Sequence, residues 1–157
     1  RRVGMARGTP KRANREARPG ALFPSEAVAR NIRAYRAIRV MTQADLAALM
    51  NGLGLEWSDG TVGFVERGDR AVTVDEYVGL ALCVGVTVGA LLDPTGPAGL
   101  GDFALDLSGI PVADASPHGV HLPAVEASRW ARGAATVRYD GADSFIIQAT
   151  SDERGVR

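Results

Sequence analysis

Between residues 25 and 93 the chain alternates short apolar-periodic blocks with small polar joints. Ser25 reads as an N-cap, with Glu26 at the positive end of the helix dipole. Val28, Ile32, Tyr35 and Ile38 then recur at three- and four-residue steps, which predicts an amphipathic first helix of about four turns. Thr42 and Asp45 have capping-box spacing for a second helix with Leu46, Leu49 and Met50 on its apolar face, stopped by Asn51-Gly52 and Gly54. Ser58 caps a third helix, in which Val62 and Val65 face inward and Gly68 takes the C′ position. Thr73 and Glu76 form a capping box for a fourth helix, with Val72 and Tyr77 placed as a hydrophobic staple and Gly85 at its end. Thr87 caps a short fifth helix that stops at Asp93-Pro94.

The flanks are patterned differently. Residues 1–24 hold Gly, Pro and Arg with little apolar periodicity and read as a flexible arm. Residues 94–101 read as a linker by composition, and 102–157 as a small C-terminal region for dimerisation or partner binding. Within it, Pro123 to Trp130 reads as a short helix with Pro at its first turn. Ala135–Tyr139 and Ser144–Thr150 are β-prone and flank Asp140-Gly141-Ala142-Asp143, a candidate hairpin. The fold class is mainly α, and no internal repeat is present.

The zero net charge hides an asymmetry. Residues 1–24 carry seven basic side chains against the single acid Glu16, whereas 25–93 and 94–157 are each net acidic by three. A basic arm on an acidic body suits a polyanionic partner, and a solvated tail is the plainer reading. Seventeen of the 18 basic residues are Arg, which fits a high-GC genome as well as any function. Met5 is a candidate native start. Cys83 is the only cysteine, so no internal disulfide forms and no oxidising compartment is needed. No apolar segment follows the N-terminal charges, so no signal peptide is expected. The longest uncharged run, Tyr77 to Leu92, is too short and interrupted to span a bilayer. A cytoplasmic protein is the expectation.

The ordered series Ile32-Arg33, Arg36, Thr42-Gln43, Leu46-Ala47, Ser58, Thr61-Val62, Glu66-Arg67-Gly68, Leu80-Ala81, Gly85-Val86-Thr87 and Leu91-Leu92 resembles the lambda repressor/Cro-like (XRE-type) helix-turn-helix proteins. The resemblance covers residues 25–93. It implies a five-helix DNA-binding domain whose second and third helices form the helix-turn-helix, the third entering the major groove. It implies that Gln43 donates to a DNA phosphate and braces the third helix. Thr42 and Ser58 mark helix N-termini suited to phosphate oxygens. Asp59, Gly60, Thr61, Gly63 and Phe64 would occupy the exposed reading face, and Arg67 would approach the backbone. Arg36 and Glu66 match a pair that joins the first helix to the end of the third, with a structural role.

Three departures stand out. Gln43 and Glu66 lie 23 residues apart, about five more than in compact family members, so Leu53, Leu55 or Trp57 must fill the apolar site of the turn. Val40 stands where the family often has glycine; a β-branched residue resists positive φ, so another path is expected at that joint. The reading face lacks the Arg, Lys, Asn and Gln that favour base readout. Asp59 can accept from cytosine N4, and Thr61 and Phe64 can touch a thymine methyl. Gly60 and Gly63 each disfavour a helix interior by about 1 kcal/mol, and either let the helix sit close to DNA or have no role. Specificity then falls to DNA shape and to the arm, where Lys11, Arg12, Arg15 and Arg18 lie within reach of a neighbouring groove. Six arm charges on phosphates would give a log–log salt slope of about −5.

Other constellations are discounted. His118 and His121 have HxxH spacing near Asp114 and Glu126, but zinc needs more well-placed ligands, so no metal and no cofactor is expected. Cys83 reads as a buried, inert thiol. Arg30, Arg33, Arg36 and Arg39 step by three and spiral around their helix. Trp130, beside Arg129 and Arg132, reads as a core anchor for the C-terminal unit, with base stacking as the alternative. No triad or phosphate loop is present, so catalysis is not expected. The reading is a transcriptional regulator, a repressor, binding double-stranded DNA as a homodimer. One alternative is a helix-turn-helix module used for protein contact, as in antitoxins or phage anti-regulators. Another is arm-driven, sequence-neutral DNA binding.

Overall fold

A computed structural model describes residues 20–97, 104–106, 121–139 and 145–149. Lys11, Arg12, Arg15, Arg18, His118, residues 98–101 and the turn 140–143 lie outside them. The fold is mainly helical: β1 (Ala21–Leu22), α1 (Pro24–Ile38), α2 (Gln43–Gly52), α3 (Asp59–Glu66), α4 (Val74–Val84), α5 (Val88–Leu92), β2 (Ala104–Asp106), β3 (His121–Leu122), α6 (Ala124–Ala131), β4 (Ala135–Tyr139) and β5 (Phe145–Ala149). Helices α1 to α5 pack around one apolar core.

Their starts follow cap chemistry. The hydroxyls of Thr42, Ser58, Thr73 and Thr87 each accept the backbone N–H three residues on. Ser25, expected as the first cap, is instead inside α1. Phe23 is the N-cap, Pro24 holds the first turn, and the Glu26 carboxylate accepts the Phe23 N–H at 2.8 Å. Proline suits that position because its missing N–H would go unsatisfied there anyway. The arm reading of 1–24 also runs too far: Ala21 and Leu22 form β1, and Phe23 is buried.

The core gathers Val28, Ile32, Leu46, Met50, Trp57, Val62, Val65, Leu80, Val84 and Leu91. Val72 and Tyr77, the expected staple, both pack against it. Ile38 and Leu49 do not belong to it; both are exposed. At about 100° per residue, Ile38 has rotated roughly 80° from Val28 and 120° from Ile32. Leu49 is likewise carried to the edge of a face set by Leu46, Ala47 and Met50. Trp57 fills the apolar site left by the longer turn, with Leu55 half-buried beside it.

The joint after α1 corrects another expectation. Val40 adopts φ 54°, the left-handed conformation that β-branching disfavours. The Val40 N–H bonds Ala37 O and the Met41 N–H bonds Arg36 O, both at 3.0 Å, which is the Schellman closure. The Arg36 guanidinium adds a 2.6 Å bond to Met41 O. These bonds dictate the turn and override the residue's own preference.

The C-terminal segments pack against this domain. β1 pairs in parallel with β2, and β2 antiparallel with β3; β4 and β5 form the expected antiparallel hairpin ladder, Ala135 opposite Ala149 and Tyr139 opposite Phe145. A second small core joins Ala27 of α1 to Leu122 and Ala127, with Leu22 and Val137 at its edge. Trp130 is more than a third exposed, so it does not anchor that core. Asp93 sits between the two cores, 2% exposed. It accepts from the Thr95 N–H and hydroxyl at 3.0 and 2.6 Å, Ser128 Oγ at 3.0 Å and Arg132 Nε at 2.7 Å. Asn31 Nδ2 donates to the carbonyls of Leu91 and Asp93 at 2.9 and 2.7 Å. The first residues of the expected linker are thus a hydrogen-bonded turn between two packed parts.

Candidate nucleic-acid interface

Helix α3 is held from beneath by one polar network. Glu66 accepts Arg36 Nε at 2.6 Å and Nη2 at 3.1 Å through separate carboxylate oxygens. Gln43 Nε2 donates to Glu66 Oε2 at 2.9 Å. The side chains of Arg36 and Glu66 are largely buried, so each desolvated charge is matched by the other. The network ties the end of α3 to α1 and to the first residue of α2. The Gln43 amide is thereby engaged within the protein as a brace.

A second network sets the other end of α3. Asn51 brackets Trp57, accepting its N–H at 2.7 Å and donating to its carbonyl at 2.8 Å. Trp57 Nε1 donates to Glu76 Oε1 at 3.0 Å, and Arg70 reaches the same carboxylate at 2.6 and 3.2 Å. The Arg70 guanidinium lies over the Trp57 ring, 5.3 Å from its centroid. Burial pushes the Glu76 carboxyl up, but the bonds from Arg70, the Thr73 N–H and Trp57 outweigh it and hold the pKa below the usual carboxylate value. Arg70 was not singled out from the sequence, and Asn51 was read there only as part of a helix stop, whereas α2 runs on through Gly52. The tryptophan in the long turn was the available signal, since a buried indole N–H requires an acceptor.

The outward face of α3 differs from the expected one at two positions. Gly63 is buried, not exposed: a Cβ there would lie 3.1 Å from Arg67 Nη1 and 3.5 Å from Gln43 Oε1. Two long side chains close over it, which only a small residue permits. Thr61 is half-buried and its Oγ1 engages the Ser58 N–H at 3.2 Å and Ser58 Oγ at 3.0 Å, so its hydroxyl serves the cap. Asp59 accepts from the Gly60 N–H at 2.7 Å and stays in solvent, as does Gly60. Phe64 is 51% exposed. Arg67 lies over its ring at 5.0 Å from the centroid, and its Nε donates to Asp69 at 2.9 Å.

Thr42 and Ser58 stand at the N-termini of α2 and α3, but both hydroxyls are committed to capping boxes. The hydroxyl and then the backbone N–H of Thr42 hold the Asp45 carboxyl below its ordinary range. Cys83 is half-buried with Sγ 3.7 Å from Met50 Sδ, and burial pushes its thiol up. Among the described residues no three His, Cys, Asp or Glu side chains come together as a metal site, and no helix is long and apolar enough to cross a membrane.

The chain matches no protein-family model and no curated protein. Among solved structures, it is similar to the clp gene regulator ClgR from C. glutamicum, with 23% identity and a TM-score of 0.41 over 46% of this chain and 88% of that one.

Proposed function

We propose that this protein is a DNA-binding transcription regulator, a cytoplasmic repressor that lays α3 in the major groove of duplex DNA. The observation that carries this reading is the Arg36–Glu66–Gln43 network, which locks α3 against α1 and α2 while its outer face stays in solvent. A recognition helix needs that combination of rigid seating and open surface. The N-termini of α2 and α3 supply backbone N–H groups for phosphates, and the arm, with Lys11, Arg12, Arg15 and Arg18, adds charge along the backbone or in the minor groove. A homodimer on a two-fold operator is the arrangement that the family resemblance implies and that half-site geometry suits. The test is a gel shift with the promoter region of its own operon over a salt series. A shift that prefers this duplex over an unrelated one is expected; no sequence-preferring shift at low salt sinks the proposal.

One observation favours a second reading, in which the module contacts a protein. Val74, Val78 and Leu82 stand exposed at four-residue steps along α4. Capture of a partner that depends on Phe64, with no DNA binding by the full chain, would establish that reading instead.

A further inference from the structure

We infer that Arg67 is the base-reading group of this interface: its terminal fork pairs with O6 and N7 of a guanine, beside a thymine whose methyl meets the Phe64 ring. The inference rests on the duplex-DNA reading above and names its specificity determinant. A side chain directed at the phosphate backbone would extend away from the axis of α3. Arg67 instead folds back along the helix. Its Nη1 lies 3.1 Å from where a Gly63 Cβ would be, so the guanidinium covers Gly63 beside Gln43, one turn before its own Cα. Gly63 makes room for it, which gives that glycine a function. Phe64 supports one face of the guanidinium at 5.0 Å.

Asp69 completes the geometry. It takes only the Nε edge, at 2.9 Å. Among the described residues nothing bonds Nη1 or Nη2 of Arg67, so both terminal nitrogens of this exposed side chain keep their donors for a partner. That pair of nitrogens matches the two acceptors guanine presents in the major groove, O6 and N7. A carboxylate strut on Nε fixes the plane of the fork and lowers the ordering needed on binding. The face contains no other exposed two-donor group: Asp59 accepts, Gly60 has no side chain and Phe64 is apolar. Phe64, packed against the same guanidinium, meets the base pair next to the guanine. Thymine is the base that offers an apolar group there.

The experiment selects from a library of randomised duplexes with the full chain, then with Arg67→Ala, Arg67→Lys and Asp69→Asn. The wild type should enrich a motif holding one guanine next to a thymine. Both Arg67 variants should lose roughly tenfold of the preference at that guanine and keep the preferences elsewhere. Substituting 7-deazaguanine, which lacks N7, should weaken the wild type and leave Arg67→Ala unchanged. Asp69→Asn should blunt the preference without lowering affinity for unrelated duplexes, which separates lost orientation from lost folding. Equal weakening of all sequences by Arg67→Ala, with the salt slope reduced by about one, would place Arg67 on a phosphate and overturn the inference. An unchanged motif in that variant overturns it too. Both outcomes leave the proposed function standing, whereas a wild type that binds no duplex removes the function and the inference together.

Discussion

The core of the five helices and the small core beside it are built from different materials. The first takes Ile32, Leu46, Met50, Leu80 and Leu91, large side chains on helices that carry their own caps. The second rests on Ala27, Leu122 and Ala127, two alanines and one leucine drawn from opposite ends of the chain. Large side chains bring apolar area to a site whose helices are already favoured locally. Small ones bring little area and require loop closure over a long stretch of chain. The second core is therefore accompanied by a polar joint: the Asp93 carboxylate accepts from four donors of Thr95, Ser128 and Arg132 in a 2% exposed position. Where burial is thin, satisfied polar contacts define the docking geometry.

The largest effect expected from that difference is in the helical core. Leu46→Ala should cost about 3 kcal/mol, the usual range for a fully buried leucine on close-packed surroundings. Leu122→Ala should cost about 2 kcal/mol, because a thinly packed site collapses more completely around the lost atoms. Urea unfolding followed by native-state hydrogen exchange separates the two. Leu46→Ala should lower protection throughout α1 to α5. Leu122→Ala should deprotect α6 first and leave α2 and α4 slow to exchange. Uniform deprotection by both variants would break the comparison and make the protein one cooperative unit.

The polar joint should give the next effect. Asp93→Asn leaves Arg132 without its ionic partner and should cost about 2 kcal/mol near neutral pH. Burial pushes the Asp93 carboxyl up, but the bonds from Thr95, Arg132 and Ser128 outweigh it, so its folded pKa lies below the ordinary value. A depressed folded pKa means stability that is present above the unfolded carboxylate pKa of about 4 and lost as pH falls through the folded value. Wild type should thus lose stability below about pH 4, and the gap between wild type and Asp93→Asn should narrow there. Glu76, also held below its ordinary value, contributes an acid loss to both proteins. Thermal melts across that range check the sign; a gap that widens in acid contradicts it.

The same contrast explains what could be read from the sequence. Thr42, Ser58, Thr73 and Thr87 act within three residues of themselves, so their helices were legible. The hairpin was legible because each strand carries its own β-prone pattern. β1, β2 and β3 were not, being two or three residues long and existing only through pairing with distant segments. Phe23 outcompeted Ser25 at the first cap because Pro24 fits the position after it. Around α3, the Arg36 and Glu66 pairing followed from resemblance, while the burial of Gly63 depends on where two long side chains fold, which spacing does not encode. Trp57 was visible as a candidate for the turn, but its partners Arg70 and Glu76 required the tertiary arrangement.

The smallest effect concerns a place where the helical core works against a local preference. Val40 is 89% exposed and held at φ 54° by the closure of α1, so its side chain contributes little packing to offset the strain. A left-handed β-branched residue is disfavoured by roughly 1–2 kcal/mol, and glycine removes that term while adding some unfolded-state entropy. Val40→Gly should therefore stabilise the protein by about 1 kcal/mol or less, read as a higher urea midpoint with an unchanged slope. The gain should appear in the exchange of α1 to α5 and leave α6 unaltered, since the joint touches only the first core. A loss of stability would mean that the exposed valine makes a contribution to the folded state that outweighs its backbone strain. A gain shared equally by α6 would instead show that the two cores open together, however differently they are built.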